Sequence, residues 1–227
     1  MGETIQLKTA DSQAFNVYVA GPGDATGAVM ILHEWWGVKP HNRDWADRLG
    51  ELGYLALVTD LYDGRVTDDS EQAGSWMRDI EQTVADAKLR AALAYLEAPE
   101  RNIVTYGCSF GGKESMQATL LAPDKVTATI VAYSRMETDV EKLKTLQGPV
   151  LAIYAQQERN WPKKQEDFEV AMAFAGKDTE GVGYDAAHGF TNPSSPRYDP
   201  EADKAVWETI TRFLEVSLDK PSVGRKK

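Results

Sequence analysis

The chain has 227 residues, 42% of them hydrophobic, which is enough to bury a substantial core and suits one α/β domain over 1–227. A formal net charge of -10 excludes a general nucleic-acid binder, because nothing would neutralise phosphates along a groove. One cysteine excludes an internal disulfide, so nothing points to an oxidising compartment.

The opening M-G-E-T-I-Q-L-K-T has neither the basic region nor the apolar region of a secretory signal, and no apolar run nears the roughly 18 residues that span a bilayer. A cytoplasmic protein, monomer or small homo-oligomer, with no membrane or nucleic-acid partner is expected. The basic ending Gly224-Arg225-Lys226-Lys227 reads as part of a flexible solubilising tail over 220–227.

Two β-leaning segments, Thr4–Thr9 and Ala14–Ala20, flank a turn at Ala10-Asp11-Ser12 and predict a hairpin. Ala28–His33 is a short continuous apolar run, as a strand buried on both faces requires. Asn42–Leu52 has helical character and stops at Gly53, and Tyr54–Leu61 is the next buried strand. Asp69–Leu96 reads as one long or broken helix, with Ala73, Met77, Ile80, Val84, Ala87, Ala91 and Leu93 near a 3.6 period.

Further along, Asn102–Tyr106 is a strand, Ser109–Leu121 a helix, and Val126–Tyr133 and Pro149–Tyr154 are strands. Lys163–Phe174 is a helix, Gly181–Asp185 the last strand and Pro200–Leu218 a closing amphipathic helix. This alternation predicts a mostly parallel, doubly wound sheet with helices on both faces.

The stretch Y-G-C-S-F-G-G, Tyr106 to Gly112, lies between a predicted strand and the following helix, where ligands gather in such sheets. A nucleophile on so sharp a turn needs small residues two positions to either side, the pattern G-x-S-x-G. Centred on Ser109 the flanks are Gly107 and Gly111; centred on Cys108 they are Tyr106 and Phe110. Sterics therefore favour Ser109 and turn Cys108 into the sheet as a small packed residue.

A serine needs a base, and the chain has three histidines, His33, His41 and His188. The chain order nucleophile, acid, histidine leaves His188, in A-A-H-G-F, as the one downstream of Ser109. The acid belongs on a loop after an intervening strand. Glu158, in Y-A-Q-Q-E-R-N-W, is the first candidate, with Glu137, Asp139 and Asp185 as competitors.

With these residues placed, H-E-W-W-G at His33 to Gly37, G-C-S-F-G-G, H-G-F and R-Y-D-P-E-A resemble the dienelactone hydrolase family of α/β-hydrolases. The resemblance runs from about Gln13 to Leu218 and implies an α/β-hydrolase fold, here with no room for a large cap domain. Well-known members carry a cysteine in the frame that here holds Ser109, and usually an aspartate as acid, so the chain resembles a serine-nucleophile variant.

Glu34 matches the glutamate that sits beside the family nucleophile, an accessory position. Backbone N–H groups of Trp35 and Phe110 would form the oxyanion hole. The family holds a substrate carboxylate with arginines, for which this chain offers Arg78 and Arg197. Trp35, Trp36, Trp161, Phe190 and Tyr198 are candidates for an aromatic pocket wall.

The expected activity is hydrolysis of a small carboxylic ester or lactone through a Ser109 acyl-enzyme, with His188 as base and Glu158 as orienting acid. No cofactor and no metal is expected, because scattered histidines and one cysteine make no ligand cluster. The alternatives are a non-catalytic binding protein on the same scaffold and a thiol hydrolase that uses Cys108.

Overall fold

The apolar runs become the inner strands of one eight-stranded sheet. The computed structural model describes residues 1–218; the expected tail, 220–227, lies outside the described residues. The sheet order is β1 (Glu3–Lys8), β2 (Ala14–Ala20), β4 (Leu55–Thr59), β3 (Gly27–Leu32), β5 (Asn102–Cys108), β6 (Ala128–Ala132), β7 (Val150–Ala155) and β8 (Thr179–Tyr184). The β1–β2 hairpin and the β2–β4 pair are antiparallel, and every pair from β4 across to β8 is parallel.

Alternation along β3 shows how both faces are covered. Val29 and Ile31 pack with Trp45 and Leu49 of α1 (Pro40–Glu51) and Ile210 and Leu214 of α7 (Pro200–Leu218). Ala28, Met30 and Leu32 point the other way, onto Leu89 and Leu93 of α3 (Gln82–Leu96) and Ala118 of α4 (Phe110–Leu121). Farther along that second face, Val150, Ala152 and Tyr154 meet Met116 of α4 and Phe168 and Met172 of α6 (Lys163–Ala175). The sheet is thus mostly parallel with helices on both faces, as the element order predicts, and no large cap domain interrupts it among the described residues.

The long helical segment is two helices, α2 (Ser70–Asp79) and α3, separated by the extended residues Ile80 and Glu81. That break resets the helical phase. The buried face of α3 is Ala85, Lys88, Leu89, Ala92, Leu93 and Leu96, while Val84, which a continuous periodicity places inward, is exposed. A single turn, α5 (Val140–Leu143), was not foreseen; it is capped by Asp139, whose carboxylate accepts from the N–H groups of Glu141 and Lys142.

The phase is testable. Leu89→Ala should lower the unfolding free energy by about 2–5 kcal/mol, the range for emptying a buried leucine site. Val84→Ala should change it by less than about 0.5 kcal/mol, as surface substitutions do. Urea denaturation of the two variants separates them; a larger loss at Val84 would contradict the break at Ile80.

Candidate functional site

β5 lies in the middle of the sheet and ends at Cys108, and α4 begins at Phe110, so one residue turns the chain. That residue, Ser109, has φ +55° and ψ −119°, a conformation costing about 1–3 kcal/mol for a residue with a Cβ. Hydrogen bonds from both sides hold it. The Ser109 N–H donates to the Ala132 carbonyl at 2.9 Å, and Ser134 Oγ donates to the Ser109 carbonyl at 2.6 Å.

The flanking glycines permit the turn. A Cβ on Gly107 would lie 2.1 Å from the Gly111 carbonyl oxygen, and one on Gly111 would lie 2.2 Å from that of Leu32. Cys108 turns the other way, into the core, with Sγ 3.1 Å from the Tyr106 hydroxyl. Burial, and then the charge of Glu34, push its thiol up to about 12, so it stays neutral at physiological pH.

Ser109 Oγ lies 2.8 Å from His188 Nε2, and His188 Nδ1 lies 2.5 Å from Glu158 Oε1. With Glu158 ionised, Nδ1 carries the ring proton and donates it, which leaves Nε2 free to accept from the serine hydroxyl. Burial pushes the Glu158 carboxyl up, but its hydrogen bonds to His188 and Lys164 outweigh that and hold it below its ordinary value. The edge of Tyr133 packs against the imidazole at a centroid distance of 5.3 Å.

The competing acids are occupied elsewhere. Glu137 accepts from Lys142 and from the Thr138 and Asp139 N–H groups, Asp139 caps α5, and Asp185 accepts from Gln157.

The other two histidines are structural. The Leu61 N–H donates to His33 Nε2 at 3.1 Å, so Nδ1 carries the proton and donates to the Glu34 carbonyl at 2.5 Å. Complete burial lowers the pKa of His33 and keeps the ring neutral. The ring thereby clamps the ends of β3 and β4. Beneath it the Glu34 carboxylate accepts from Asn192 Nδ2 at 2.8 Å and lies 3.3 Å from His41 Nε2. Glu34 is therefore tied to α1 and to the loop after His188, and among the described residues it makes no hydrogen bond to Ser109.

A cavity of about 910 Å³ opens in front of Ser109 and His188. Its walls include Met77 from α2, Arg135 and Met136 after β6, and Arg159 and Trp161 before α6. Trp161 is the one aromatic pocket candidate on this wall; Trp35, Trp36, Phe190 and Tyr198 are not. The chain turns inward two residues past His188, which buries Phe190 against Tyr133 and Tyr184. Tyr198 bonds Asp203 on α7, Trp36 packs edge-on against Trp35, and the Trp35 ring itself faces Gly74 of α2.

The two arginines suggested by the resemblance are also off this wall: Arg197 donates to the His188 carbonyl, and the Arg78 guanidinium lies beside Gly74. Arg135, Arg159, Ser134 and Lys164 escaped the sequence reading. Ser134, Arg135 and Arg159 share one signal, position just past the carboxyl ends of β6 and β7, whereas Lys164 lies on α6 and carries none. Among the described residues no group of three His, Cys, Asp or Glu side chains converges as metal ligands would.

The model of the dienelactone hydrolase family matches residues 15–218. The protein usf of Aquifex pyrophilus is 25% identical over 216 residues, covering 88% of this chain and 93% of that one. A carboxymethylenebutenolidase of Rhodococcus opacus is 24% identical over 211 residues, covering 86% and 82%. A solved structure called m3DLH superposes with a TM-score of 0.83 at 23% identity, covering 96% of this chain and 98% of that one, so the fold is the α/β-hydrolase fold. The matched span runs from β2 through the end of α7 and takes in every element that meets at Ser109 and His188; the chain belongs to the dienelactone hydrolase family.

Proposed function

We propose that the protein is a serine hydrolase of carboxylic esters or lactones. The observation that carries this reading is the hydrogen-bonded line from Ser109 Oγ through the His188 ring to Glu158. As a carbonyl carbon approaches, Oγ bonds to it while its proton passes to His188 Nε2. Glu158 holds the ring in the required tautomer and stabilises the imidazolium that forms.

Phe110 opens α4, so its N–H has no acceptor one turn back and is free for the oxyanion. The Trp35 N–H is the second donor, because Gly111 packs against the carbonyls of Leu32 and His33 and brings the exit of β3 against the elbow. His188 then gives its proton to the leaving alkoxide as the C–O bond breaks. In a lactone that alkoxide stays tethered to the acyl group. Water, deprotonated by the same nitrogen, attacks the acyl-enzyme and returns Ser109.

A carboxymethylenebutenolidase among the relatives supports the inclusion of lactones. The cavity favours substrates that carry a negative charge away from the reacting carbonyl. Lys113, Lys163 and Lys164 on its wall are engaged by Glu114, Asp167 and Glu158, whereas Arg135 and Arg159 have no ion-pair partner among the described residues. A thiol mechanism finds no support, because Cys108 is buried and its thiol stays protonated.

Ser109→Ala should lower kcat/KM for p-nitrophenyl acetate by at least about 10³-fold, the scale of losing a serine nucleophile. Cys108→Ala should retain activity, and iodoacetamide should not inactivate the native enzyme; the reverse pattern would establish the thiol reading. Arg135→Ala and Arg159→Ala should each raise KM for a p-nitrophenyl ester with a terminal carboxylate by about five- to tenfold, the worth of one partly exposed charged contact. Their KM for p-nitrophenyl acetate should be unchanged; an equal rise for both esters would remove the anionic preference.

A further inference from the structure

The Glu158 carboxylate has two oxygens, and only one of them is needed to orient His188. Oε1 meets His188, and Oε2 meets the ammonium of Lys164. The Lys164 side chain is 11% exposed and that of Glu158 is 12%, so the pair lies largely out of water beside a more accessible imidazole.

Two physical costs mark this lysine. It is the second residue of α6, where the positive end of the helix dipole disfavours a cation. It also buries an ammonium, which is costly unless the group is paired. Lys163, one position earlier, shows what an unconstrained lysine does there: its side chain is 77% exposed and pairs with Asp167 one helical turn on. Lys164 is turned inward instead, and the Glu158 carboxylate offsets both costs.

The geometry points to Lys164 as a positioning residue: its ammonium anchors the second oxygen of Glu158, fixing the carboxylate that orients His188 and setting the pH range over which His188 works as a base. This rests on the reading of Ser109, His188 and Glu158 above. A glutamate has one more torsion than the aspartate usual at this position in the resembled family, so one hydrogen bond to a ring leaves it free to pivot. A second bond on the other oxygen removes that freedom.

The charge matters as much as the bond. Lys164 offsets the field of Glu158 at the imidazole, and without it an uncompensated carboxylate would favour the imidazolium, which cannot accept the serine proton. The other groups in contact with His188 are the Ser109 hydroxyl and the Tyr133 ring at the imidazole, and Arg197, whose guanidinium donates to the backbone carbonyl. Around Glu158, Arg159 and Lys163 extend toward solvent and Asp167 is paired with Lys163, which leaves Lys164 as the cation in contact with the carboxylate.

The test is the pH profile of kcat/KM for p-nitrophenyl acetate with the full chain, in Lys164→Met, Lys164→Arg and Glu158→Gln, with thermal melts as a check on folding. Lys164→Met should move the acidic limb to higher pH by about 0.5–1 units, the effect of one nearby charge. It should lower plateau kcat by about tenfold with KM little changed, and Lys164→Arg should return the limb toward its native position.

If Lys164→Met does not fold, Lys164→Gln reads the same limb, since it keeps a donor and loses the charge. An acidic limb at its native pH in the uncharged variants, even with activity or melting temperature reduced, would overturn the proposal. Glu158→Gln separates the two readings. If it is inactive while the Lys164 variants match the native enzyme, only the role of Lys164 falls; if it is fully active with a native profile, the role of Glu158 falls as well.

Discussion

Backbone packed directly on backbone around Ser109 is the constraint on which the rest of the site depends. β5 ends at the carboxyl end of the sheet, reverses within one residue and becomes α4, and there is no space for a Cβ at Gly107 or Gly111. The strain this places on Ser109 is balanced locally. Each of the two hydrogen bonds that tie its peptide groups to Ala132 and Ser134 is worth about 0.5–1.5 kcal/mol net, comparable to the cost of the conformation. Both partners lie at the end of β6, which makes that neighbouring strand part of the support of Ser109 rather than a bystander. Tyr133, between the two supporting residues, has a positive φ of its own, 35°, and its ring reaches the imidazole.

Two half-buried or buried carboxylates organise the surroundings in different ways. Glu34 lies under the elbow and joins the exit of β3 to Asn192, beyond His188, and to His41 on α1. Glu158 lies beside His188 and joins the exit of β7 to α6 through Lys164. Each has two partners, as a carboxylate taken out of water requires. Together they pin the loops that carry Trp35, Glu158 and His188 without any covalent link between them.

Much of this was legible in the sequence where a local rule applied. Glycine spacing distinguishes Ser109 from Cys108 because the steric demand at a tight turn acts over two residues. Chain order singles out His188 for a similar reason: the topology of a parallel sheet constrains which loops can meet. The same logic made Glu158 the first candidate to meet His188, since β7 neighbours β8, but it left Glu137, Asp139 and Asp185 open.

What could not be read depended on the orientation of side chains whose neighbours are distant in sequence. Phe190 and Tyr198 flank the site in sequence yet face the core and α7. Nothing local to Lys164 distinguishes it from Lys163, although one is buried and the other exposed. The phase of α3 was lost for a related reason, because two extended residues at Ile80 and Glu81 carry no strong breaker in their side chains.

The position of β8 has a consequence for how the molecule fails. It is the outermost strand on its side, pairs only with β7, and is half-buried along its length, whereas β5 is buried throughout. Ser109 thus follows a strand buried throughout, whereas His188 follows an edge strand that is mostly half-buried. Local opening draws first on such edges. Warming should therefore detach His188 from Ser109 while the central strands remain folded, so that loss of activity precedes loss of the fold and reverses on cooling.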